Sequence, residues 1–176
     1  FRDIPAGVGV GGPFRFDARH MRKLLAEGAG ALVAEGLADI EEIEMTESRG
    51  CLDGADPAAV SDEAYRRGAD QCGTLGSGNH FGELQYVETV YDPAAAEALG
   101  LVEGCLTVMI HSGSRGLGYQ VCDDYLKILR SVPAQYGIEL PDRQLVCAPV
   151  ESEPGQQYLA AMRAAANFAW ANRQLL

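Results

Sequence analysis

The sequence predicts an α+β fold, with mixed β-sheets packed against helices. Apolar residues recur at helical spacing in several segments, and the short runs between them that are rich in Val, Tyr and Thr have the character of strands. Of the 176 residues, 47% are hydrophobic, which is enough for a folded core. No repeat, low-complexity tract or linker divides the chain, so residues 1–176 are treated as one segment.

A loop and a long helical segment open the chain. The glycine- and proline-rich residues 1–13 predict a loop or an irregular edge strand. Asp17 is a suitable N-cap, and the apolar stripe that follows it predicts a helix that extends to Val33. Gly28 has low helix propensity and favours a break within this segment.

A helix, a strand and a short helix are predicted in the middle of the chain. Asp56 before Pro57 is the arrangement of an N-cap with proline in the first turn, which predicts a helix over residues 57–70. Residues 83–91 alternate and are rich in Val, Tyr and Thr, so they predict a strand. Residues 93–100 predict a short helix that ends at a glycine.

The remaining elements are two strands and two helices. Residues 106–110 form a continuous apolar run that predicts a buried strand. Apolar residues at helical spacing predict a helix over residues 119–132, and a connector is expected at 136–144. Residues 145–150 predict another short strand. The alanine-rich residues 155–176 are apolar on most sides and predict a helix that neighbouring elements must bury.

The formal net charge of −11 limits the functions that the chain can have. A general nucleic-acid binder carries a basic face, so that class is disfavoured. An enzyme that acts on RNA ends stays open, because local basic residues or bound metal ions offset the repulsion. No apolar run approaches the roughly 20 residues of a membrane helix, and no signal peptide opens the chain, so no membrane association is expected. The chain begins with Phe1, which suggests a piece of a longer protein.

The cysteines predict a reducing, cytoplasmic compartment. Their number is odd, and no secretion signal accompanies them, which argues against a disulfide framework. No two are spaced as a CxxC pair, so a zinc finger is not expected. We expect most of them to be small buried hydrophobic residues. They are Cys51, Cys72, Cys105, Cys122 and Cys147.

Two of the three histidines lie in glycine-rich segments at the borders of predicted strands. His80 ends the stretch GTLGSGNH before one strand, and His111 follows another in MIHSGSRGLG. A strand end holds a side chain still, while a glycine loop lets a ligand approach the backbone. Neutral imidazole is a ligand for divalent metals, so both histidines are candidate metal ligands, for one shared ion or for two neighbouring ions.

The same loops also have the residue types of a phosphate site. Arg115 offers a forked donor, and glycine permits phosphate to approach backbone N–H groups. The glycines concerned are Gly76, Gly78, Gly113 and Gly116. The alternative is that both histidines are hydrogen-bonded structural residues, since two histidines fall short of the three or more ligands of a catalytic metal. His20 lies on the first predicted helix and is expected at the surface.

The two histidine motifs resemble the central signatures of the RtcB-type RNA-splicing ligases. The resemblance rests on GTLGSGNHFGELQYVE and MIHSGSRGLGYQV in this order, and it extends over essentially the whole chain. The further matching stretches are IPAGVG, GCLDGADPAAVS, LPDRQLVCAPV and AAANFAWANRQ. The resemblance implies that residues 1–176 are the central part of a larger catalytic domain.

The resemblance implies a specific activity. These ligases join RNA that ends in a 2′,3′-cyclic phosphate or 3′-phosphate to RNA with a 5′-hydroxyl, as in tRNA splicing and RNA repair. They use GTP and two manganese ions, and a histidine becomes guanylylated before GMP is transferred to the RNA end. Histidine suits this role because its phosphoramidate is reactive. RNA, GTP and an activating protein are the implied partners.

The resemblance also assigns roles to individual positions. His80 and His111 match ligands of the two manganese ions. Asn79 would face the nucleotide phosphates, and Glu83 would accept hydrogen bonds from the guanine edge. Arg115 falls where an RNA phosphate is received. The nucleotide-contacting segment as a whole is Asn79, His80, Phe81, Gly82 and Glu83.

Other parts of the site are expected outside this chain. The resemblance places an Asp and a bridging Cys ligand before residue 1, a third His ligand shortly after Leu176, and the nucleophilic His beyond it. The isolated chain is therefore expected to be inactive, and the final alanine-rich helix is the first candidate to lose its packing partners. Two alternatives stay open: a non-catalytic nucleotide- or metal-binding relative, and a guanylyltransferase that activates 3′-phosphate ends without joining RNA.

Overall fold

A computed structural model of the protein describes residues 3–142 and 145–176. Its helices and strands are α1 (Ala18–Glu27), α2 (Gly30–Val33), α3 (Ile40–Glu44), α4 (Asp62–Gly68), β1 (Phe81–Tyr86), α5 (Pro93–Ala98), β2 (Leu106–His111), α6 (Arg115–Ile128), α7 (Val132–Gln135) and α8 (Glu153–Gln174). Short 3-10 turns lie at Glu47–Gly50, Pro57–Ala59 and Leu129–Ser131. Helices beside a small sheet agree with the predicted α+β class. The sheet has two antiparallel strands, so mixed sheets are not seen in the described part of the chain.

The first helical segment is broken at Gly28, as its sequence predicts. Asp17 caps α1 by accepting hydrogen bonds from the backbone N–H groups of Arg19 and His20. Gly28 then adopts a positive φ of 60°, and a Cβ at this position would clash with the carbonyl of Gly50. The close approach of another loop therefore requires glycine here, and the chain resumes as the short helix α2.

The core lies where α1, α4, α6 and α8 pack together. The final helix α8 contacts both α1 and α6. Its alanines permit this close packing, and Phe168 fills the space between the helices. The expectation that α8 would lose its packing partners is therefore wrong. The fully buried large apolar side chains are Met21, Leu24, Leu25, Leu32, Leu117 and Phe168.

The helix predicted over residues 57–70 is two elements. Asp56 caps the 3-10 turn through a hydrogen bond from the Ala58 N–H, as predicted. Val60 is extended, and Ser61 then caps α4 by accepting from the Ala64 N–H. A second good N-cap inside the segment thus ends the first turn and begins a new helix.

The strands β1 and β2 form a hairpin whose apolar side chains remain exposed. The prediction that residues 106–110 are a buried strand is wrong, because Leu106 and Val108 are 71% and 68% exposed. The strand predicted at 83–91 begins at Phe81 and ends at Tyr86, where its partner strand begins with Leu106. The continuous apolar run therefore predicted the strand correctly, but it did not predict that the strand is exposed.

The last third of the chain differs from the prediction in three places. The helix predicted over residues 119–132 begins at Arg115, so its first turn contains two glycines. It ends at Ile128 and is followed by the 3-10 turn and α7. Residues 145–150 are irregular rather than a strand, because a strand needs a pairing partner and none lies beside them in the described residues. The connector predicted at 136–144 is irregular to Asp142, and its last two residues lie outside the described residues. None of the described helices combines the length and apolar character needed to cross a membrane.

Candidate functional site

The hairpin brings the two glycine-rich histidine loops together. In its antiparallel register Phe81, the first residue of β1, pairs with His111, the last residue of β2. His80 directly precedes Phe81, so the two imidazoles must lie near each other. Their ring centroids are 6.2 Å apart with an interplanar angle of 77°. His111 also lies edge-on to the Phe81 ring, at 5.1 Å between centroids.

A backbone hydrogen bond fixes the orientation and tautomer of His80. Its Nδ1 lies 2.8 Å from the carbonyl oxygen of Ser77. A carbonyl oxygen can only accept, so Nδ1 carries the proton, and in the neutral ring Nε2 has the lone pair. Metal-bound histidines commonly have this arrangement, in which the second ring nitrogen donates to a carbonyl group. His80 therefore presents a ligating nitrogen on the side away from Ser77.

Arg115 lies against the loop that carries His80. Its Nε donates to the Thr74 hydroxyl at 2.9 Å and its Nη2 to the Gly7 carbonyl at 3.4 Å. The guanidinium also packs on Gly76, where a Cβ would clash with it. Burial lowers the pKa of Arg115, but a guanidinium remains charged in proteins.

The backbone of Arg115 is strained. Its φ is +54°, an uncommon value for a non-glycine residue, at the first position of α6. Strain of this kind costs about 1–3 kcal/mol and is concentrated at functional sites. The loop after β2 thus holds this side chain beside the two histidines at an energetic cost.

A cavity of about 500 Å³ extends from Arg115 toward α4. Arg66 and Arg67 on α4 line it together with Arg115. Arg66 is paired with Glu63 through two hydrogen bonds, at 2.9 and 2.5 Å. Arg67 lies 3.5 Å from the same carboxylate and 5.4 Å above the Tyr119 ring. The cavity is thus lined by three guanidinium groups and by the Asp70 carboxylate, in a chain whose overall charge is negative.

The sequence did not reveal the arginines of α4 as site residues. An Arg-Arg pair on a helix is usually a solvated face, and only the packing of α4 on α6 directs this pair toward the glycine loops. The structure also corrects the expectation for Gly116. Its backbone N–H donates to the Gln71 side chain at 2.8 Å, so it is not available to a phosphate.

The residues of the predicted nucleotide segment do not all lie on one face. Phe81 and Glu83 alternate with Gly82 along β1 and therefore share a face that Gly82 does not. Glu83 is exposed and accepts a hydrogen bond from the Gln85 side chain at 2.7 Å. Asn79 is exposed in the loop before the strand. The carboxylate of Glu83 is thus accessible from the side of the sheet that carries Phe81.

The third histidine lies away from these loops. As predicted, His20 is partly exposed on α1, and its Nδ1 is 2.8 Å from the Asp17 carboxylate. Within residues 3–142 and 145–176, no three His, Cys, Asp or Glu side chains are grouped as a metal site. His80 and His111 are therefore a pair of candidate ligands rather than a complete metal centre.

Comparison with known proteins identifies the family. The family model described as tRNA-splicing ligase RtcB matches residues 1–176. The chain belongs to the RtcB family. This finding confirms the resemblance seen in the two histidine motifs, which in the fold form the pair at the start of β1 and the end of β2.

Individual RtcB proteins from archaea and bacteria are similar over the full length of this chain. The tRNA-splicing ligases RtcB of Methanocaldococcus jannaschii and Thermococcus kodakarensis are each 51% identical over 176 residues, covering 100% of the chain. The RNA-splicing ligase RtcB of Mycobacterium tuberculosis is 51% identical and covers 99%. The chain spans 18%, 36% and 41% of the lengths of these three RtcB proteins.

Proposed function

We propose that this chain is part of a GTP- and manganese-dependent RNA ligase. The enzyme would join RNA ends that carry a 2′,3′-cyclic phosphate or 3′-phosphate to 5′-hydroxyl ends, through a guanylylated histidine outside this chain and GMP-activated RNA. Membership of the RtcB family supports an RNA ligase. The observation that carries the metal-dependent part is the approach of His80 and His111 to 6.2 Å between ring centroids.

The two histidines fit a pair of manganese ions. Imidazole nitrogen is a common ligand for divalent metals, and the bond between His80 Nδ1 and the Ser77 carbonyl leaves Nε2 free to ligate. Mn²⁺ also prefers oxygen ligands, so carboxylate, phosphate or water oxygens would complete each site. The proposed role of His80 is to bind one ion and that of His111 to bind the other. Bound divalent cations would polarise phosphate oxygens and neutralise charge in the reaction.

The arginine-lined cavity would receive the RNA end. Arg115 and Arg67 bring positive charge to a chain of formal net charge −11. A guanidinium matches the oxygens of a phosphate through parallel hydrogen bonds. Arg115 is already held by Thr74 and Gly7, so little of its conformational entropy is lost on binding. These residues would orient the RNA phosphate beside the two histidines.

The nucleotide would lie along the loop before β1 and the face that carries Phe81. Glu83 is exposed there, and its carboxylate oxygens can accept from the two N–H groups of the guanine edge. Asn79 would contact the phosphates. A carboxylate at this position would favour GTP over ATP, because adenine presents an acceptor where guanine presents the N1–H donor.

Metal titration tests the proposal. In the full-length protein, we expect His80→Ala and His111→Ala each to weaken Mn²⁺ binding by about tenfold or more, equivalent to about 1.4 kcal/mol. His20→Ala is the matched control and should bind Mn²⁺ like the wild type. Equal Mn²⁺ affinity in all four proteins would contradict the metal assignment.

Product analysis tests the reaction. A 3′-phosphate RNA and a 5′-hydroxyl RNA are incubated with GTP and Mn²⁺. We expect a joined product from the full-length protein and none from the 176-residue chain alone. Guanylylated RNA that is never joined would identify a guanylyltransferase instead, and joining by the isolated chain would contradict the assignment of the nucleophile.

The five free cysteines support a reducing, cytoplasmic location for this activity.

A further inference from the structure

Asn172, near the end of α8, contacts both histidine loops. The residue is fully buried. Its Oδ1 accepts from the Thr74 N–H at 3.0 Å, and its Nδ2 lies 3.1 Å from the Thr74 carbonyl. The same Nδ2 lies 3.0 Å from Ser112 Oγ and 3.0 Å from the Gly113 carbonyl. One side chain thus joins the segment before His80 to the segment after His111.

Ser112 closes the connection between the two loops. It directly follows His111, and its hydroxyl donates to the Leu75 carbonyl at 2.7 Å. The carbonyl of Ser112 accepts from Arg173 Nη1, the next side chain on α8, at 3.2 Å. Thr74 also accepts from Arg115 through its hydroxyl. The loop of His80, the loop of His111 and Arg115 are therefore parts of one hydrogen-bonded network centred on Asn172.

The network is rigid because it is buried and satisfied. Thr74 is fully buried and Ser112 is nearly so. Among the described residues, no buried side-chain nitrogen or oxygen atom of a non-exposed residue is without a partner. A buried hydrogen-bond network in a low-dielectric environment holds its members in one arrangement, and removal of one member leaves the others unpaired. An amide is suited to this position because it accepts and donates at once.

We propose that Asn172 is a positioning residue that sets the separation of His80 and His111 for metal binding. Its amide acts through the backbone of the two loops and does not touch the metal or the substrate. This inference rests on the proposed function, because it requires that the two histidines ligate Mn²⁺. Groups bonded directly to a ligating histidine typically change metal affinity by about 10- to 100-fold, and Asn172, which acts one step further away, is expected at the lower end of that range.

Asn167 provides a matched control on the same helix. It is also fully buried, and its amide is also bonded to backbone groups. Its Oδ1 accepts from the Leu52 N–H at 2.7 Å, and its Nδ2 donates to the Leu25 carbonyl at 3.0 Å. These partners lie on the core side of α8 and do not belong to the histidine loops. Equivalent substitutions at 167 and 172 therefore remove similar bonds from different places.

The test compares Asn172→Asp with Asn167→Asp in the full-length protein. The aspartate keeps the shape but replaces the N–H donors with a second acceptor oxygen and adds a negative charge. This charge by itself favours cation binding, so weaker Mn²⁺ binding would come from the lost donors. We expect both variants to lower the unfolding midpoint in urea, and only Asn172→Asp to weaken Mn²⁺ binding, by about tenfold in a titration. Equal Mn²⁺ affinity in the two variants would overturn the inference. If His80→Ala and His111→Ala bind Mn²⁺ as tightly as the wild type, the proposed function fails, whatever the result for Asn172→Asp.

A second pair keeps the test decisive if Asn172→Asp does not fold. Ser112→Ala removes the hydroxyl that joins the loops, and Ser61→Ala removes a hydroxyl that caps α4 and donates to Asp124 at 2.6 Å. We expect weaker Mn²⁺ binding by Ser112→Ala only. Unchanged Mn²⁺ affinity in folded Ser112→Ala would count against Asn172 as the centre of a positioning network.

Discussion

Replacement of Gly76 by alanine should perturb the candidate site more than any comparable change nearby. Gly76 has a φ of +106°, and a Cβ at this position would lie 2.8 Å from His80 Nδ1 and still closer to the Arg115 guanidinium. The new methyl group must therefore displace both side chains. Gly78, two residues later, also has a positive φ, of +71°, but none of the described atoms beyond its chain neighbours lies within 4 Å of the place that a Cβ would take there. Gly78→Ala is thus a control that also places alanine at a positive φ, but without a clash.

The structure allows the two costs to be separated. A positive φ near the left-handed helical region, such as the +71° of Gly78, costs an L-residue about 1–2 kcal/mol, and the +106° of Gly76 lies outside that region and costs at least as much. Gly76→Ala also forces Arg115 away from the Thr74 hydroxyl, to which its Nε donates at 2.9 Å. A hydrogen bond from a charged donor contributes about 1.5–3 kcal/mol, and the lower end applies because the guanidinium is only partly buried. We therefore expect Gly76→Ala to be less stable than Gly78→Ala by at least about 1.5 kcal/mol.

Urea unfolding and Mn²⁺ titration of both variants check this reasoning. The free energies of unfolding should differ by the amount above, and Gly76→Ala alone should bind Mn²⁺ more weakly, because its His80 ring is displaced. Equal free energies of unfolding would show that Arg115 can move away from the new methyl group without a loss of stability. Equal Mn²⁺ affinities would show that the position of the His80 ring against Gly76 does not matter for metal binding.

Three further predictions concern RNA, the nucleotide and pH. Arg67→Ala and Arg115→Ala should each weaken RNA binding and reduce the slope of log K against log salt by about 0.7, measured by titration at several salt concentrations. Glu83→Gln should lower GTP affinity roughly tenfold, because one guanine N–H loses its acceptor, and leave ATP binding unchanged, measured by calorimetry. Burial raises the pKa of Cys72 from 9.0 to about 12. Its raised pKa stabilises the fold below pH 9, and this contribution is lost as the pH rises from about 9 to 12, by at most about 1.4 kcal/mol per pH unit. Burial also raises the pKa values of Tyr65 and Tyr125, so the unfolding free energy of Cys72→Ala should still decline in this range, but less steeply than that of the wild type.

Each of these predictions has a control in the same chain. Arg130→Ala removes an exposed arginine that does not line the cavity, and an equal loss of RNA affinity would refute the specific role of the cavity arginines. Glu88→Gln changes an exposed carboxylate beyond the end of β1, and should leave GTP affinity unchanged. Cys122 is exposed, so Cys122→Ala should lose stability above pH 9 as steeply as the wild type. An equally steep loss in Cys72→Ala would contradict the role given to Cys72.

Several elements were predictable because their determinants are local. Asp17 and Asp56 accept hydrogen bonds from N–H groups two or three residues later, so their capping role is visible in the sequence. Gly28 ends α1 through its own backbone conformation. Residues 145–150 were not predictable in the same way, because whether an apolar run becomes a strand depends on a partner elsewhere in the chain.

The candidate site shows the same division. His80 and His111 were found from sequence because each directly borders a strand and a glycine loop. Arg67 was not, because its approach to Arg115 depends on the packing of α4 against α6. The apolar character of β2 was recognised from the sequence, but its exposure was not. The residue pattern of a segment predicts a strand, but it does not show which other elements cover that strand.

The sequence alone determined the family, the caps, the main helices and the pair of histidines at strand borders. The tertiary structure decided the distance between the two imidazoles, the arginines of the cavity and the hydrogen-bond partners of Asn172. The physical reason is the distance along the chain between the residues that interact. Caps and positive-φ glycines act over a few residues, whereas the bonds from Asn172 to Thr74 and to Ser112 cross 98 and 60 positions of the chain and form only when α8 packs in the core.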